Sequence, residues 1–211
     1  MLLVASHRAL ITVVAGLATL AVLIGPTARP AAQGPPLGGN LTGQLLVASE
    51  EMADPRFART VLYMVQHGAD GAQGLVLNRP LGELPLVTLL AQLGMPTEGA
   101  TGTVRLHSGG PVDPLRLCVL HTAEYSIEGT APLRDGLAIT LQPEILRDIA
   151  GGKGPRRRLL IVGYAGWAPG QLEAEMKAGY WVRAQADEAL VFDEEYRSKW
   201  ERASARRKID L

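Results

Sequence analysis

Short apolar runs separated by turn-forming residues dominate the chain after residue 41. Such runs, bounded by Gly, Pro and polar clusters, are typical of β-strands. The cluster Gly68–Gly71 predicts a turn, so residues 61–78 are expected to form a hairpin. The run at 159–162 is continuously apolar, which predicts the central strand of a sheet. The pattern as a whole predicts strands at 45–48, 61–65, 75–77, 104–106, 117–120, 137–141, 159–162 and 180–182.

Helical spacing of apolar residues interrupts this strand pattern. Pro85 precedes leucines spaced three and four residues apart, and Pro143 precedes a similar group. Gly170 and Gly179 bound a third segment with acidic residues in its early turns. The predicted helices are 85–93, 143–149, 170–178 and, as a charged helix or frayed tail, 194–208. Because hairpins and helices alternate irregularly, the sequence predicts an α+β fold with a mixed sheet.

Residues 1–40 differ in character from the rest of the chain. His7 and Arg8 precede an apolar run at 9–25, and a Pro- and Gly-rich stretch follows as far as Gly39. This order is typical of a secretory signal peptide. Because the cleavage site is poor, an uncleaved membrane anchor through residues 9–25 stays open, as does a cytoplasmic protein with a mis-called start. We therefore expect an exported or membrane-anchored protein with residues 1–40 as signal or anchor plus linker, and 41–211 as its folded domain.

Composition and charge limit the possible partners. The 211 residues carry 21 basic and 21 acidic side chains, so the formal net charge is zero. A general attraction to nucleic acid is therefore disfavoured, and the run Arg156–Arg158 is expected to be solvated charge. Cys118 is the only cysteine, which excludes an intrachain disulfide and a multi-cysteine metal site. Its place in an apolar strand predicts an inert buried thiol.

Four motifs occur in order along the chain: Gly43–Ser49 with Met52, Asp54, Pro55 and Phe57; Gly74–Pro80; Gly109–Val112; and Gly163–Trp167 with Gly170–Glu173. In this order and spacing they closely resemble the YqgE/AlgH family of bacterial proteins, from about residue 41 to the C-terminus. The resemblance implies an α+β domain, flanked by helices, in which a mixed, bifurcated β-sheet forms a pseudo-barrel.

The same resemblance does not supply a reaction. One member of the family has been linked to transcriptional regulation of alginate synthesis, without an evident DNA-binding motif. The chain departs from the family in having Val65-Gln66-His67 where members often have Cys-Glu-His, so thiol chemistry there is absent. The apolar segment near the N-terminus is also not typical of the family.

Polar and Gly-rich segments that follow predicted strands are the candidate binding sites. Asn78 and Arg79 offer donors to an anionic ligand, although each can instead bond to a neighbouring loop. Glycine-rich turns allow backbone N–H groups to approach a ligand, although tight turns and core packing require the same residues. We expect these segments to surround one region of the surface. The predicted ligand-binding residues are Asn78, Arg79, Gly109, Gly110, Gly163, Tyr164, Gly166 and Trp167.

These observations favour a non-enzymatic binding or regulatory domain for a small anionic ligand or a protein partner. No catalytic residue and no cofactor is predicted. No metal site is predicted either, because no histidine pair has helical ligand spacing, although His107 and His121 lie on strands that could be neighbours. The alternative is an enzyme with a hydrolase-like or transferase-like site around His67, Asn78 and Tyr164. An enzyme would need a titratable pair in one concave pocket.

Overall fold

Most of the strands lie where short apolar runs predict them, in a computed structural model that describes residues 39–206. The strands of these residues are β1 (Leu45–Ala48), β2 (Val61–Gly68), β3 (Gly71–Val76), β4 (Pro80–Pro85), β5 (Thr103–Ser108), β6 (Val112–Thr122), β7 (Thr130–Pro132), β8 (Leu137–Thr140), β9 (Arg158–Trp167) and β10 (Trp181–Ala184). The helices of the same residues are α1 (Leu86–Gln92), α2 (Ile145–Ala150), α3 (Gln171–Lys177), α4 (Glu188–Phe192) and α5 (Lys199–Ser204).

The strands form one curled sheet in the order β10-β1-β2-β3-β9-β6-β8-β7. β5 also pairs with β9, and β4 extends the sheet beyond β5. The pairings are antiparallel except for the parallel pair β5 and β9. The predicted α+β fold with a mixed sheet is confirmed, and the sheet curls into a half-barrel flanked by the short helices.

The sheet divides in two at β9. The first half of β9 pairs with β5, where Leu106 lies opposite Leu160. The second half pairs with β3, where Ala72 lies opposite Trp167. β6 pairs along the other edge of β9, so β3 and β5 diverge from a single edge. This fork confirms the bifurcated sheet that the family resemblance implies.

Hydrophobic side chains fill both faces of the sheet, because alternate residues of a strand point to opposite sides. The first core cluster lies between β1, β2, β3 and the helices α4 and α5. The second contains Trp167 and Trp181 and packs on α3. The third packs α1 and α2 against β5, β6 and β9. Burial on both faces explains why β9, as the central strand, has such a continuous apolar start.

The bounds of several predicted elements differ from those in the structure. The predicted central strand 159–162 extends from Arg158 to Trp167 through two glycines, and Gly163 has a positive φ of 74° where the pairing with β6 is irregular, between the partners Val162 and Tyr164. Within residues 194–206, the described part of the charged segment 194–208, the chain is helical at α5 alone, and α4 precedes it. Strands β4 and β7 have no counterpart in the predicted pattern, because each contains proline and has an exposed face.

The prediction of an exported or membrane-anchored protein is wrong, because one finding contradicts it. In the part of the chain that the structure describes, every helix is too short or too polar to cross a membrane. The apolar run at 9–25 and the stretch that follows it, on which that prediction was placed, lie outside the described residues. The division of the chain at residue 40 stays a prediction.

Candidate functional site

Asn78 and Arg79, which end the third predicted strand, bond to the loop that precedes β2. Asn78 Oδ1 accepts a hydrogen bond from the Val61 N–H (3.0 Å), and its Nδ2 donates to the Arg59 carbonyl (2.9 Å). Arg79 Nη2 donates to the Ala58 carbonyl at 3.2 Å and to a threonine hydroxyl. Both side chains therefore hold two chain segments together, and ligand binding by them stays a prediction.

The glycines at 109, 110 and 163 lie at the fork of the sheet. The Gly109 N–H donates to the Val162 carbonyl (2.8 Å), and its carbonyl accepts from the Val76 N–H (3.0 Å). One residue thus links β9 to β3. A Cβ on Gly109 would lie 2.2 Å from the Gly163 carbonyl oxygen, which is shorter than real contacts allow. Close packing of two backbones explains these glycines without a ligand.

Tyr164 and Trp167 point into different parts of the protein. Tyr164 packs against the first core cluster, and the guanidinium carbon of Arg116 lies 5.8 Å from its ring centroid. Trp167 is 7% exposed within the second cluster, and its Nε1 donates to Glu175 Oε2 (2.8 Å). Gly166 leaves room for the Tyr164 ring, whose Cε2 would lie 3.3 Å from an added Cβ.

Backbone hydrogen bonds therefore bring some residues of the predicted site close together, whereas others lie in separate parts of the protein. The Ser108 N–H donates to the Arg79 carbonyl, so the segment after β3 lies beside the glycine pair at 109 and 110. Trp167 faces the opposite side of the sheet and contributes to the core. Ligand binding by the predicted set is not tested by this placement and stays a prediction.

The residues of the alternative enzyme site do not converge. His67 lies opposite Ala72 at one end of the β2–β3 hairpin, and Asn78 bonds to Val61 at the other end. Six residue steps along β2 separate the two ends by roughly 20 Å. His67 Nε2 lies 3.0 Å from Glu173 Oε1, and its Nδ1 accepts from the Leu41 N–H. Asn78 is therefore not within hydrogen-bond reach of that pair.

A cavity of about 290 Å³ lies elsewhere, between the starts of β5 and β9 and the segment after α4. We call it the arginine cavity, because basic side chains dominate its charge. It includes none of the predicted ligand-binding residues. Its lining residues are Thr103, Val104, Arg105, His107, Arg156, Arg157, Arg158, Leu159, Leu160, Phe192, Glu194 and Tyr196.

The arginines of this cavity differ in their partners. Arg105 contacts Glu83, Glu194 and the Tyr196 hydroxyl, and these bonds raise its pKa above the ordinary value. Glu188 pairs with both Arg156 (2.9 Å) and Arg157 (3.4 Å).

Arg158 Nη1 donates to the Pro155 carbonyl (3.1 Å), and no carboxylate of residues 39–206 lies within ion-pair distance of it. Although the residue is exposed, partial desolvation lowers the pKa of Arg158. An arginine nevertheless stays protonated in a protein.

Lys199 lies next to the cavity, but its ammonium group already donates three hydrogen bonds. Its Nζ donates to the carbonyls of Leu190 (2.8 Å), Val191 (3.0 Å) and Asp193 (3.0 Å), at the end of α4. Burial lowers its pKa to about 8, and the Asp193 carboxylate, 3.6 Å away, opposes this shift. Positive charge at a helix C-terminus stabilises the free carbonyls there. Lys199 therefore anchors the segment that carries Tyr196.

His107 is a buried side chain of the cavity and is 1% exposed. Its Nδ1 lies 3.3 Å from the Leu160 carbonyl oxygen, and its ring packs 5.1 Å from the Tyr196 ring. Its Nε2 has no hydrogen-bond partner among the described residues. Such an unpaired buried polar atom is uncommon in folded proteins, and each case calls for an explanation.

Titration of His107 is expected to make stability depend on pH. Burial, with the nearby Lys199 and Arg105 charges, lowers its pKa to about 4, although Glu194 opposes the shift. In the unfolded chain the pKa is about 6.5. Between these values the unfolded state binds more protons, so the free energy of unfolding falls as pH is lowered from about 6.5 towards 4. Denaturant unfolding at several pH values measures this loss, to which His107 contributes at most about 3 kcal/mol.

The His107→Phe variant is the control for this pH dependence. Its unfolding free energy should vary less with pH over the same interval, because the phenyl ring does not titrate. Some dependence will remain, since burial also lowers the pKa of His121. Identical slopes for the two proteins would contradict the buried, neutral state of His107.

Histidines 107 and 121 do not form a metal site together. Their strands, β5 and β6, lie on opposite edges of β9. His121 Nε2 instead lies 2.8 Å from the Thr140 hydroxyl. Within residues 39–206, no group of three His, Cys, Asp or Glu side chains is arranged to hold a metal ion.

The sequence contained a signal for the arginine cavity that the motif pattern did not use. Arg105 and His107 alternate along β5 and so share one face. The three arginines at 156–158 directly precede the most apolar run of the chain, so that positive charge lies next to residues of the hydrophobic core. Sequence alone could not bring the two segments together, because β5 and β9 are parallel and about 50 residues apart.

The fold thus defines an α+β protein with a forked, mostly antiparallel sheet and a basic cavity at one end of its central strand. A sequence model described as AlgH-like matches residues 45–211. The chain belongs to this family.

Among curated relatives, a UPF0301 protein of Afipia carboxidovorans is 44% identical over 81% of this chain and 85% of its own length. A UPF0301 protein of Rhodospirillum rubrum is also 44% identical, over 82% and 90%. The solution structure of AlgH from Pseudomonas aeruginosa matches with a TM-score of 0.69 and 40% identity, over 82% of this chain and 91% of AlgH. A Corynebacterium diphtheriae protein, 21% identical with a TM-score of 0.63 over 80% and 87%, shares the fold.

Proposed function

We propose that this protein is a binding or regulatory protein that takes a small oxyanion in the arginine cavity. The observation that carries the proposal is Arg158, a charged side chain of the cavity whose one bonded partner among the described residues is the Pro155 carbonyl. A guanidinium presents several donors in a planar arrangement that matches carboxylate and phosphate oxygens. An anion at this place would supply the charged partner that Arg158 lacks.

The charge of the cavity supports an anion over a cation. The lining contains four arginines and one carboxylate, that of Glu194, while His107 is neutral at pH 7. Glu83 and Glu188 neutralise part of this charge from outside the lining. The remaining positive charge is that of Arg158 itself. This side chain is partly desolvated, so charge interactions there are stronger than in bulk solvent.

Size also supports a small ligand. A volume of about 290 Å³ lies near the lower end of the range for small-molecule sites, which is roughly 300–1,000 Å³. Buried apolar residues, Leu159 and Leu160, form part of the wall beside the charged groups. A few fixed polar groups against an apolar wall are the usual composition of a ligand site.

Binding is favoured over catalysis at this site. A general base works best with a pKa near the working pH, whereas burial lowers the pKa of His107 to about 4. Tyr196 accepts a bond from Arg105, and Lys199 is bonded to three carbonyls. A regulatory role, of the kind that the family resemblance implies for one member, would use the bound anion as a signal.

Calorimetric titration with sodium phosphate at pH 7 tests the proposal. The wild-type protein should bind phosphate, and Arg158→Gln should weaken the affinity by at least about tenfold, because a charged hydrogen bond contributes roughly 1.5–3 kcal/mol. The matched control is Arg56→Gln, which removes the same charge from a residue paired with Asp54 outside the cavity lining. Its affinity for phosphate should equal that of the wild type.

A third variant, Arg79→Gln, separates this cavity from the strand ends that the motifs predict. Phosphate binding that is lost in Arg79→Gln and kept in Arg158→Gln would contradict the proposal and favour the strand ends. The absence of phosphate binding by the wild-type protein at millimolar concentration would also contradict it. Circular dichroism of each variant confirms that the fold is retained.

A further inference from the structure

We infer that a second cavity, beside β6, binds an extended acidic segment of a partner protein, and that this segment adds as a strand to the edge of β6. The cavity has a volume of about 260 Å³, and we call it the β6 cleft. Its lining consists of residues 115–119 and 140–143 together with Leu93 and Ile145. It shares no residue with the arginine cavity, so the inference goes beyond the proposed anion site.

The β6 cleft opens where β6 and β8 separate. Their pairing ends at Val119, which lies opposite Thr140. After Thr140 the chain leaves the sheet and passes through Pro143 into α2, whereas β6 begins as early as Val112. In the described part of the chain, no strand pairs with residues 115–118 on this side of β6. The backbone groups of such an edge can pair with an added strand.

Apolar side chains are concentrated at the β6 cleft. Val119 and Ile145, which belong to the third core cluster, also line the cleft. Of the six large hydrophobic side chains that are exposed in the described residues, three line it as well, namely Leu93, Leu115 and Leu141. Exposed apolar groups that gather at one place mark an interaction surface. The apolar side chains of an added strand would cover them.

The charge of the cleft selects an acidic occupant. Arg116 is the one charged residue of the lining, whereas Asp113 and Glu144, which are close to the lining segments in sequence, are not part of it. The Arg116 guanidinium carbon lies 5.8 Å from the Tyr164 ring centroid, and no carboxylate of the described residues is within ion-pair distance of this arginine. An exposed ion pair adds little affinity, but it selects the charge of the partner.

An extended peptide satisfies the three features of the cleft at once. Its backbone can bond to the edge of β6, its alternate side chains can face the apolar lining, and a carboxylate can reach Arg116. In strand addition the backbone bonds supply affinity, while pockets for side chains supply specificity. A helix has its backbone groups bonded internally and cannot pair with a strand edge. The occupant is therefore an extended segment with alternating apolar residues and an acidic residue.

Selection from a display library of random ten-residue peptides on the full-length protein tests the inference. The enriched sequences should alternate apolar and polar residues and contain Asp or Glu. On Arg116→Glu, the same selection should enrich Lys or Arg in place of the acidic residue. The matched control is Lys177→Glu, which reverses an exposed charge on α3, outside the cleft lining. This variant should select the same acidic sequences as the wild type.

Fluorescence polarisation with the most enriched peptide measures how each feature contributes. Leu115→Ala should weaken binding about five- to tenfold, because part of a buried leucine contact is lost. Arg116→Gln should weaken it about two- to fivefold, as expected for an exposed ion pair. Peptides methylated at alternate backbone amides test strand addition on the wild-type protein. Methylation of the amides that face β6 should abolish binding, whereas methylation of the other set should leave the affinity unchanged.

Four outcomes would overturn the inference. The first is the absence of any enriched peptide on the wild-type protein, and the second is enrichment of the same acidic peptides on Arg116→Glu. The third is an equal effect of the two methylation sets, which would exclude pairing with a strand edge. The fourth is a wild-type dimer in sedimentation that Leu115→Ala dissociates, because a second copy of this chain would then occupy the cleft. None of these measurements involves phosphate, so the anion site is tested separately.

Discussion

Replacing Trp167 by alanine is expected to lower the free energy of unfolding by roughly 3–5 kcal/mol, the usual cost of such a truncation in a core. The indole packs edge-on against Trp181, with ring centroids 5.9 Å apart, within the second core cluster. Its N–H donates to Glu175, which also accepts from the Trp181 N–H (2.8 Å). For a domain of this size, the melting temperature should fall by roughly 6–20 °C, as thermal denaturation would measure.

Two further variants show whether packing causes this loss. Trp167→Phe keeps most of the ring volume and removes the hydrogen bond, so it should cost less than the alanine variant. Leu115→Ala removes an apolar side chain that is 91% exposed and should change stability by less than about 0.5 kcal/mol. A Trp167→Ala protein that melts within a degree or two of the wild type would contradict the core role of this indole.

Gly110→Ala is expected to cost more than about 4 kcal/mol, which is exceptional for one added methyl group. A Cβ at this position would lie 2.3 Å from the Tyr164 carbonyl carbon and 2.4 Å from the Ala165 nitrogen. These are backbone atoms of the central strand, so they cannot move aside without breaking the fork of the sheet. Denaturant unfolding of the variant, or its failure to fold, measures the effect.

The matched control for this variant is Gly82→Ala. The two glycines have nearly the same backbone angle, with φ of 148° at Gly110 and 145° at Gly82, but nothing lies within 4 Å of a Cβ at Gly82. Alanine at Gly82 therefore adds backbone strain without a clash, at a cost of roughly 1–3 kcal/mol. Equal losses in the two variants would show that strain alone, and not the close approach of two backbones, makes Gly110 necessary.

Local patterns predicted much of the fold because many of its elements are defined by nearby residues. The run at 45–48 is a strand in the structure at the same residues, and the turn at Gly68–Gly71 closes the expected hairpin. Pro85 directly precedes α1, as a proline before a helix should. Strand β4 could not be predicted this way, because two prolines and mostly exposed residues are typical of a loop.

The candidate site was predicted less well, because residue type alone does not distinguish packing from binding. Asn78 and the glycines at the fork have the composition of a ligand loop, yet their hydrogen bonds and close contacts are internal. The run Arg156–Arg158 resembles ordinary solvated charge in the sequence. It becomes a candidate site only when β9 places it beside His107, a residue of the parallel strand β5.

The position of β9 in the chain has a consequence for how the protein folds during synthesis. Its partners β3, β5 and β6 all leave the ribosome before it, and β1 must wait still longer for β10, where Leu45 pairs with Ala184. Contacts between such distant residues give a high contact order, which is associated with slow folding. The nascent chain therefore exposes the unpaired edges of β3, β5 and β6 until β9 itself has left the ribosome, and this is the interval in which a chaperone would have the most surface to bind.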